Sequence, residues 1–453
     1  MKNKLATYLL LMIAAFTVSS CFNDPDEYKP SPYAYIESFS VGDIKCKYPA
    51  FTSTGADTTV TKTISGAAYP FTINQAAGEI YNNDSLPFAT DVTKIVMKMS
   101  VQGVAGIYVD SLGDYETFSS SDSIDFTSPR KFRVYSIGGK YYKDYTVSVN
   151  VHQVNPDLMV WDSCASPASF VAAKAIAFGD DMLLFGKDAD GNNAVASTPM
   201  AGAMGWSVGT ANAPQDIDFS TMQLFDGRLY AVAGGDLYVS ADAVEWSAAS
   251  QGNGLVALIG ASDEDGYLWA ATSENICRTA DGVAFETVCA LPDGFPLYGI
   301  STSSYALSHN RNIIRYMLVG YDNAAEDGDP QVWSMLSNED AWTRYYNAGS
   351  PYQCPALKGL AVLRYGDLLY ALGGKGVADG VEVEAFSKFF VSRDNGIVWK
   401  AQTGYYQLPP KSLMGSDAPF VAAVDTQNHM WIVTCGEGAM TWRGVINSLC
   451  FED

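Results

Sequence analysis

Apolar residues in this chain fall in short strand-like runs and not in helical stripes. Six segments carry such a run with a large side chain at the second position: 182–186 (MLLFG), 229–234 (LYAVAG), 268–272 (LWAAT), 315–320 (RYMLVG), 369–374 (LYALGG) and 430–436 (MWIVTCG). Most follow a polar turn, such as Gly179-Asp180-Asp181, Asp226-Gly227, Asp265-Gly266, Gly366-Asp367 or Gln427-Asn428, and a second apolar stretch precedes that turn, as at 175–178 and 421–424. Each unit therefore opens with a β-hairpin. Downstream the units close on an aromatic, and Trp206, Trp246, Phe285, Trp342 and Trp399 stand about 40, 39, 57 and 57 residues apart. With the excess placed in loops, this period fits four-stranded propeller blades of roughly 40 to 50 residues. It predicts a six-bladed β-propeller over residues 155–453.

Residues 33–154 show no such period. Their β-branched and aromatic runs are separated by Gly, Ser, Asn and Asp, and 143–151 (KDYTVSVNV) alternates Tyr145, Val147, Val149 and Val151 against polar neighbours. Residues 94–101 (KIVMKMSV) alternate in part, and 132–140 (FRVYSIGGK) read as strand and turn. One wet and one dry face per strand predicts an antiparallel β-sandwich, so the expected fold class is all-β throughout.

The first twenty residues stand outside this pattern. Lys2 and Lys4 form a positive start, and the apolar run 5–16 is too short to span a bilayer, so residues 1–20 read as a secretory signal. The following Val18-Ser19-Ser20-Cys21 resembles the lipobox of bacterial lipoproteins, which implies cleavage before Cys21 and its lipidation. The acidic tract Phe22-Asn23-Asp24-Pro25-Asp26-Glu27 resembles the export signal of Bacteroidetes surface lipoproteins, implying an outer-membrane protein that faces the exterior. Residues 21–32, with Pro25, Pro30 and Pro32, form a stiff tether. The sandwich resembles the immunoglobulin-like domain behind the anchor in many such lipoproteins, where it acts as a spacer.

Charge narrows the partners. With 50 acidic against 28 basic residues the formal net charge is -22, which disfavours nucleic acid and anionic lipid headgroups. Lipidation of Cys21 leaves Cys46, Cys164, Cys277, Cys289, Cys354, Cys435 and Cys450, an odd number without a C-x-x-C pair. With His152, His309 and His429 as the histidines, zinc is disfavoured, and buried thiols are the expected state. The one candidate disulfide is Cys277 with Cys289, which flank the Asp281-Gly282 turn on adjacent strands.

Residues 392–399 (SRDNGIVW) match the Asp-box, S-x-D-x-G-x-x-W, at every defined position, with degenerate copies from Ser240 and Asp242 to Trp246 and from Thr279 and Asp281 to Phe285. Its physics is structural: Asp caps backbone amides in a tight turn, Gly supplies positive φ, and the aromatic fills the space between sheets. The pairs Gly234-Gly235 and Gly373-Gly374 resemble kelch blades more weakly. Taken whole, the chain resembles an uncharacterised group of Bacteroidetes propeller lipoproteins.

Asp-box propellers include sialidases, but the Arg-Ile-Pro tripeptide of that family is missing here, and several of the propeller's arginines fall in turns on the lower face. Copper oxidases of kelch type need two His with Tyr, whereas His309 and His429 fall in lower turns between the first and second strands of their blades. No cofactor and no metal is expected. Asp188, Asp190 and Asn192 have the oxygen spacing that Ca²⁺ favours, yet lack a distal bidentate acid, so a solvated turn is the alternative. A hydrolase needing two carboxylates remains open in so acidic a chain, with the loops 322–329 and 379–384 as its place.

The expected ligand-binding residues lie in loops joining one blade to the next: Phe295, Tyr345, Tyr346, Tyr352, Tyr405 and Tyr406. A tyrosine ring can bury the C–H face of a sugar while its hydroxyl keeps a hydrogen bond; packing between blades is the other role open to these rings. The reading that follows is a surface-anchored protein recognising glycan or glycoprotein. The alternatives are a glycoside-active enzyme and a partner-binding subunit of an outer-membrane complex.

Overall fold

In the computed structural model the described residues are 31–51, 57–345, 351–402 and 407–449; Cys21, the acidic tract behind it, Tyr346, Tyr405, Tyr406 and Cys450 lie outside them. The chain divides into two compact units, Met1–Asn155 and Pro156–Asp453.

The first unit is a β-sandwich. One sheet runs in the order Phe71–Asn74, Glu79–Asn82, Tyr142–Ser148, Arg130–Tyr135, Val104–Val109, Asp114–Thr117, and the sheet facing it in the order Tyr35–Val41, Ile95–Gln102, Ser123–Ile124, with Asp43–Phe51 and Asp57–Ser65 as a separate hairpin. Pairing is antiparallel except between Tyr142–Ser148 and Glu79–Asn82, which run parallel. The alternation in 143–151 has its expected effect: Tyr145 and Val147 are buried with Phe132 and Val134 against Ile36, Phe39, Ile95 and Met97 of the other sheet. Tyr145 keeps its hydroxyl satisfied there, donating to Gln75 Oε1 at 2.6 Å and accepting the Ile36 N–H at 3.1 Å.

The second unit is a ring of six four-stranded antiparallel sheets formed by the described residues. Blade 1 comprises Val171–Phe178, Asp181–Lys187, Asn193–Pro199 and Ser207–Thr210; blade 2, Asp218–Phe225, Arg228–Ala233, Asp236–Ser240 and Ser247–Ser250; blade 3, Leu255–Ser262, Tyr267–Thr272, Asn275–Thr279 and Glu286–Ala290. Blade 4 comprises Tyr298–Leu307, Asn310–Tyr321, Gln331–Leu336 and Thr343–Arg344, and blade 5, Ala361–Tyr365, Leu368–Leu372, Phe390–Ser392 and Lys400–Ala401. The six apolar segments read from the sequence are the second strands. They are apolar on both faces because each blade is covered on both sides: Leu229 and Ala231 pack toward Phe185 of blade 1, while Tyr230 and Val232 pack toward Leu258 of blade 3.

Blade 6 takes its first three strands, Phe420–Val424, Met430–Thr434 and Met440–Ile446, from the end of the chain, and its fourth, Met159–Ala165, from the start of the unit. That closure was not read from the repeat. A further departure is a small sheet of Ala356–Leu357, Gly376–Ala378 and Val381–Val383, built largely from the long loop of blade 5.

The Asp-box behaves as its chemistry requires. Asp394 Oδ1 accepts the Ser392 hydroxyl and the Val398 N–H, each at 2.8 Å, Gly396 takes φ +90°, and Trp399 is buried with Nε1 donating to Gly396 O at 2.9 Å. Asp242 and Asp281 repeat the arrangement, Asp242 through Val244 N and Glu245 N, and Asp281 through Val283 N and Ala284 N. At Asp242 and Asp281 these amides hold the carboxyl below its usual range.

The proposed Cys277–Cys289 disulfide is not formed. Cys277 pairs with Thr287 and Cys289 with Ile276 across a register shift, so the thiols face different sides of blade 3. Cys277 packs in the core shared with blade 2 and Cys289 against the core shared with blade 4.

Candidate functional site

Each blade's first strand hydrogen-bonds on one side to its second strand, which leaves an inner edge without a sheet partner. The six first strands neighbour one another in a closed ring. Small side chains form much of the wall where these edges converge: Ala172, Ala173, Ala175 and Ala177 in blade 1 and residues 301–304 (STSS) in blade 4. The result is an axial channel enclosing about 650 Å³. Side chains stitch neighbouring strands where backbone pairing stops. Thr221 Oγ1 accepts the Leu258 N–H at 3.3 Å, Ser301 Oγ accepts the Val362 N–H at 3.0 Å, and the Ser304 hydroxyl donates to Ala261 O. Gln223, nearly buried, reaches from blade 2 to blade 4 and donates to Thr302 Oγ1 at 3.1 Å.

Three charged side chains line this channel: Lys174, Glu326 and Arg364. Lys174 sits in the first strand of blade 1 directly after a register shift, half-buried, and among the described residues makes no hydrogen bond or ion pair. Burial brings its ammonium down to about 8, with the Asp218 carboxylate partly opposing. Glu326 belongs to the upper loop between the second and third strands of blade 4 and comes down beside Gly299. A Cβ at Gly299, whose φ is +53°, would lie 2.8 Å from the Glu326 carboxyl carbon, so glycine is required for this approach. Arg364, near the end of its strand toward the lower face, lies 3.6 Å from the Tyr305 ring centroid and donates to Asp367 at 3.0 Å. Its charge is thus already engaged, and Lys174 is the unengaged cation of the three.

Of the sequence-predicted ligand residues, the described ones, Phe295, Tyr345 and Tyr352, do not gather at this channel, and Tyr346, Tyr405 and Tyr406 lie outside the described residues. Phe295 is 3% exposed and packs at 5.2 Å from Trp333 and 5.4 Å from Trp342, centroid to centroid, in the core between blades 3 and 4. It is a packing residue, which corrects its expected place on an open surface: the loop turns its ring inward because the interblade space needs filling. Tyr345 is half-buried against the core of blades 4 and 5, with its hydroxyl accepting from Arg315 Nη1 at 2.7 Å. Tyr352 is open, 41% exposed, with the Lys400 ammonium 5.0 Å from its ring centroid. Its backbone oxygen accepts the Trp399 N–H, which places it against the outer part of blade 5 and away from the axis. Lys174 was missed by sequence reasoning, although a lone lysine inside the run 171–178 (VAAKAIAF) was a visible signal.

Elsewhere the candidates resolve into structure. Asp188 Oδ1 accepts the N–H groups of Asp190 and Asn192 at 2.9 and 2.8 Å, so this carboxylate holds its own turn. His309 and His429 lie in the turns between first and second strands, and His429 Nδ1 is 3.0 Å from Asp425 Oδ2. Among the described residues no three His, Cys, Asp or Glu side chains group as metal ligands would.

A ring of six four-stranded sheets about an axial channel, preceded by a β-sandwich, defines a two-domain β-propeller protein. The chain belongs to the DUF6242 family: the DUF6242 beta propeller domain matches residues 155–453, and the DUF6242 N-terminal domain, a domain of unknown function, matches residues 39–149. Among curated proteins none matches. Similar solved structures include a calcium structure of a Trichoderma reesei protein of Carbohydrate-Active Enzymes Family AA12, with 9% identity over 65% of this chain and 98% of that chain and a TM-score of 0.39. The Aleuria aurantia lectin, solved with Fucα1-6GlcNAc, has 11% identity over 62% and 98%, with a TM-score of 0.35. The Penicillium chrysogenum α-L-arabinanase, solved with arabinobiose, has 10% identity over 64% and 97%, with a TM-score of 0.36.

Proposed function

We propose that this protein is a lipoprotein anchored through Cys21 in the outer membrane, facing the exterior, that binds an extracellular glycan or glycoprotein at the upper end of its propeller channel. On this reading the N-terminal sandwich is an immunoglobulin-like spacer behind the anchor. The observation that carries the binding role is the channel itself: strand edges, hydroxyls and the amides of Gln223 and Asn428 line a space of about 650 Å³, which suits a ligand rich in hydroxyl groups. Binding is favoured over glycoside hydrolysis because hydrolysis takes a pair of carboxylates, and Glu326 is the carboxylate among the described lining residues. A glycan array probed with the mature protein tests the reading. Retention of one glycan class, lost on blocking the channel with Ala173→Trp at unchanged thermal stability, is the expected result. No glycan retained, together with stable co-purification of an outer-membrane protein, would replace it with the structural-subunit role.

A further inference from the structure

The channel carries a cation that its own fold does not pair. Lys174 lines a cavity whose walls are stitched together by side-chain hydrogen bonds, and among the described residues it has neither hydrogen bond nor ion pair. An ammonium taken out of bulk water without a partner is costly, and proteins keep such a group where something else completes it. The chain as a whole has a net charge of -22, and of the two cations along the channel Arg364 is held by Asp367 whereas Lys174 is not ion-paired. An unpaired cation inside an acidic molecule attracts an anion to its own position.

Resting on the glycan reading above, we propose that the channel selects an acidic sugar, one bearing a carboxylate, with the Lys174 ammonium as the group that receives the carboxylate. The strand edges around it offer N–H and C=O groups to the sugar hydroxyls, while the lysine supplies the charge-assisted bond that a neutral sugar cannot make. Discrimination then comes from desolvation as well as attraction. A neutral sugar would leave the ammonium unpaired in a space from which the ligand has driven water, whereas a carboxylate replaces the lost hydration. Glu326 beside Gly299 works against anionic groups placed close to it, which confines the carboxylate to the side of the channel formed by blade 1.

Charge at this position also sets a pH dependence. The charged groups around the cavity are Lys174, Asp218, Glu326 and Arg364, and burial brings the Lys174 ammonium down to about 8, so its charge falls away between pH 7 and 9. Acidic-sugar binding should therefore weaken across that interval.

The test uses purified full-length protein and an array of oligosaccharides printed as matched pairs, each uronic or sialic acid beside its methyl ester, with sulfated counterparts as a third arm. The expected result is at least tenfold preference for the free acid over its ester, abolished in Lys174→Met and kept in Lys174→Arg, with binding by Lys174→Arg unchanged from pH 7 to 9. Melting temperatures of both variants within a few degrees of the parent exclude misfolding, and Lys174→Arg guards against a fold that does not tolerate methionine. Equal binding of acid and ester overturns the carboxylate assignment while leaving glycan binding in place, as does preference for the sulfated arm. Acid preference that survives Lys174→Met overturns the role of the lysine. No binding on any arm overturns this inference and the glycan reading together.

Discussion

Replacing Asp394 by alanine separates a structural role of the Asp-box from a ligand-binding one. The Asp394 carboxylate accepts two hydrogen bonds of 2.8 Å, from Val398 N–H and from the Ser392 hydroxyl, and Ser392 is buried and in turn accepts the Gly396 N–H at 2.8 Å. Alanine leaves both donors without their acceptor. Val398 is half-buried and water reaches its amide, but the Ser392 hydroxyl must find another acceptor in the interior. The cost is therefore that of a lost helix cap plus part of a buried donor, about 1–2 kcal/mol. In a domain of this size that lowers the melting temperature by roughly 2–8 °C. Asp394→Asn keeps the Oδ1 acceptor and should lose less than half as much. Scanning calorimetry of the purified variants, with glycan binding measured on the same samples below the transition, gives both readouts. Unchanged melting with binding lost would refute the structural reading and make the turn a ligand site.

The other expectations rest on single residues. Phe295→Ala empties a position between Trp333 and Trp342 and should cost about 3–5 kcal/mol by denaturant titration, with glycan affinity preserved in the folded fraction. Burial pushes the Asp425 carboxyl up, but hydrogen bonds from His429 and Trp431 outweigh it and hold the folded-state value below the usual range. That contribution is present above the unfolded-state pKa and is lost as pH falls through the folded one, so Asp425→Asn should flatten the fall in melting temperature between pH 5 and 2. Cys21→Ser should abolish metabolic lipid labelling and membrane fractionation, and persistent labelling would refute the anchor.

Much of the propeller was legible because its second strands are buried on both faces and so read as unbroken apolar runs, such as 229–234 and 369–374. The Asp-box was legible for a different reason. Its side chains bond within their own turn, so spacing alone fixes their geometry, as Asp394 with Val398 shows. The strand Met159–Ala165 was not legible as part of blade 6, because its partner Met440–Ile446 is remote and nothing local encodes that pairing. The sequence held an indirect sign: six opening hairpins but five closing aromatics. The burial of a loop aromatic was illegible for a similar reason. Phe295 and Tyr352 look alike as residues in loops, and only the packing of neighbouring blades turns one inward and leaves the other open.

The shared sixth blade has a consequence for the order in which the molecule is made. Ser166 and Thr441 are 275 positions apart, yet their hydroxyls meet at 3.0 Å just where the two ends of the ring join. At translation rates of 5–20 residues per second, the strand emerging first waits roughly 14–55 s for its partner. Through that interval blades 1 to 5 can stack in sequence, each covering the apolar face of the one before, while the outer face of blade 1 still lacks its cover of Trp431 and Val433. A nascent chain stopped before Met440 is therefore an open stack with an apolar end. Ribosome-stalled intermediates of increasing length should stay protease-sensitive and chaperone-bound until Met440–Ile446 clears the exit tunnel, and then gain protection in a single step.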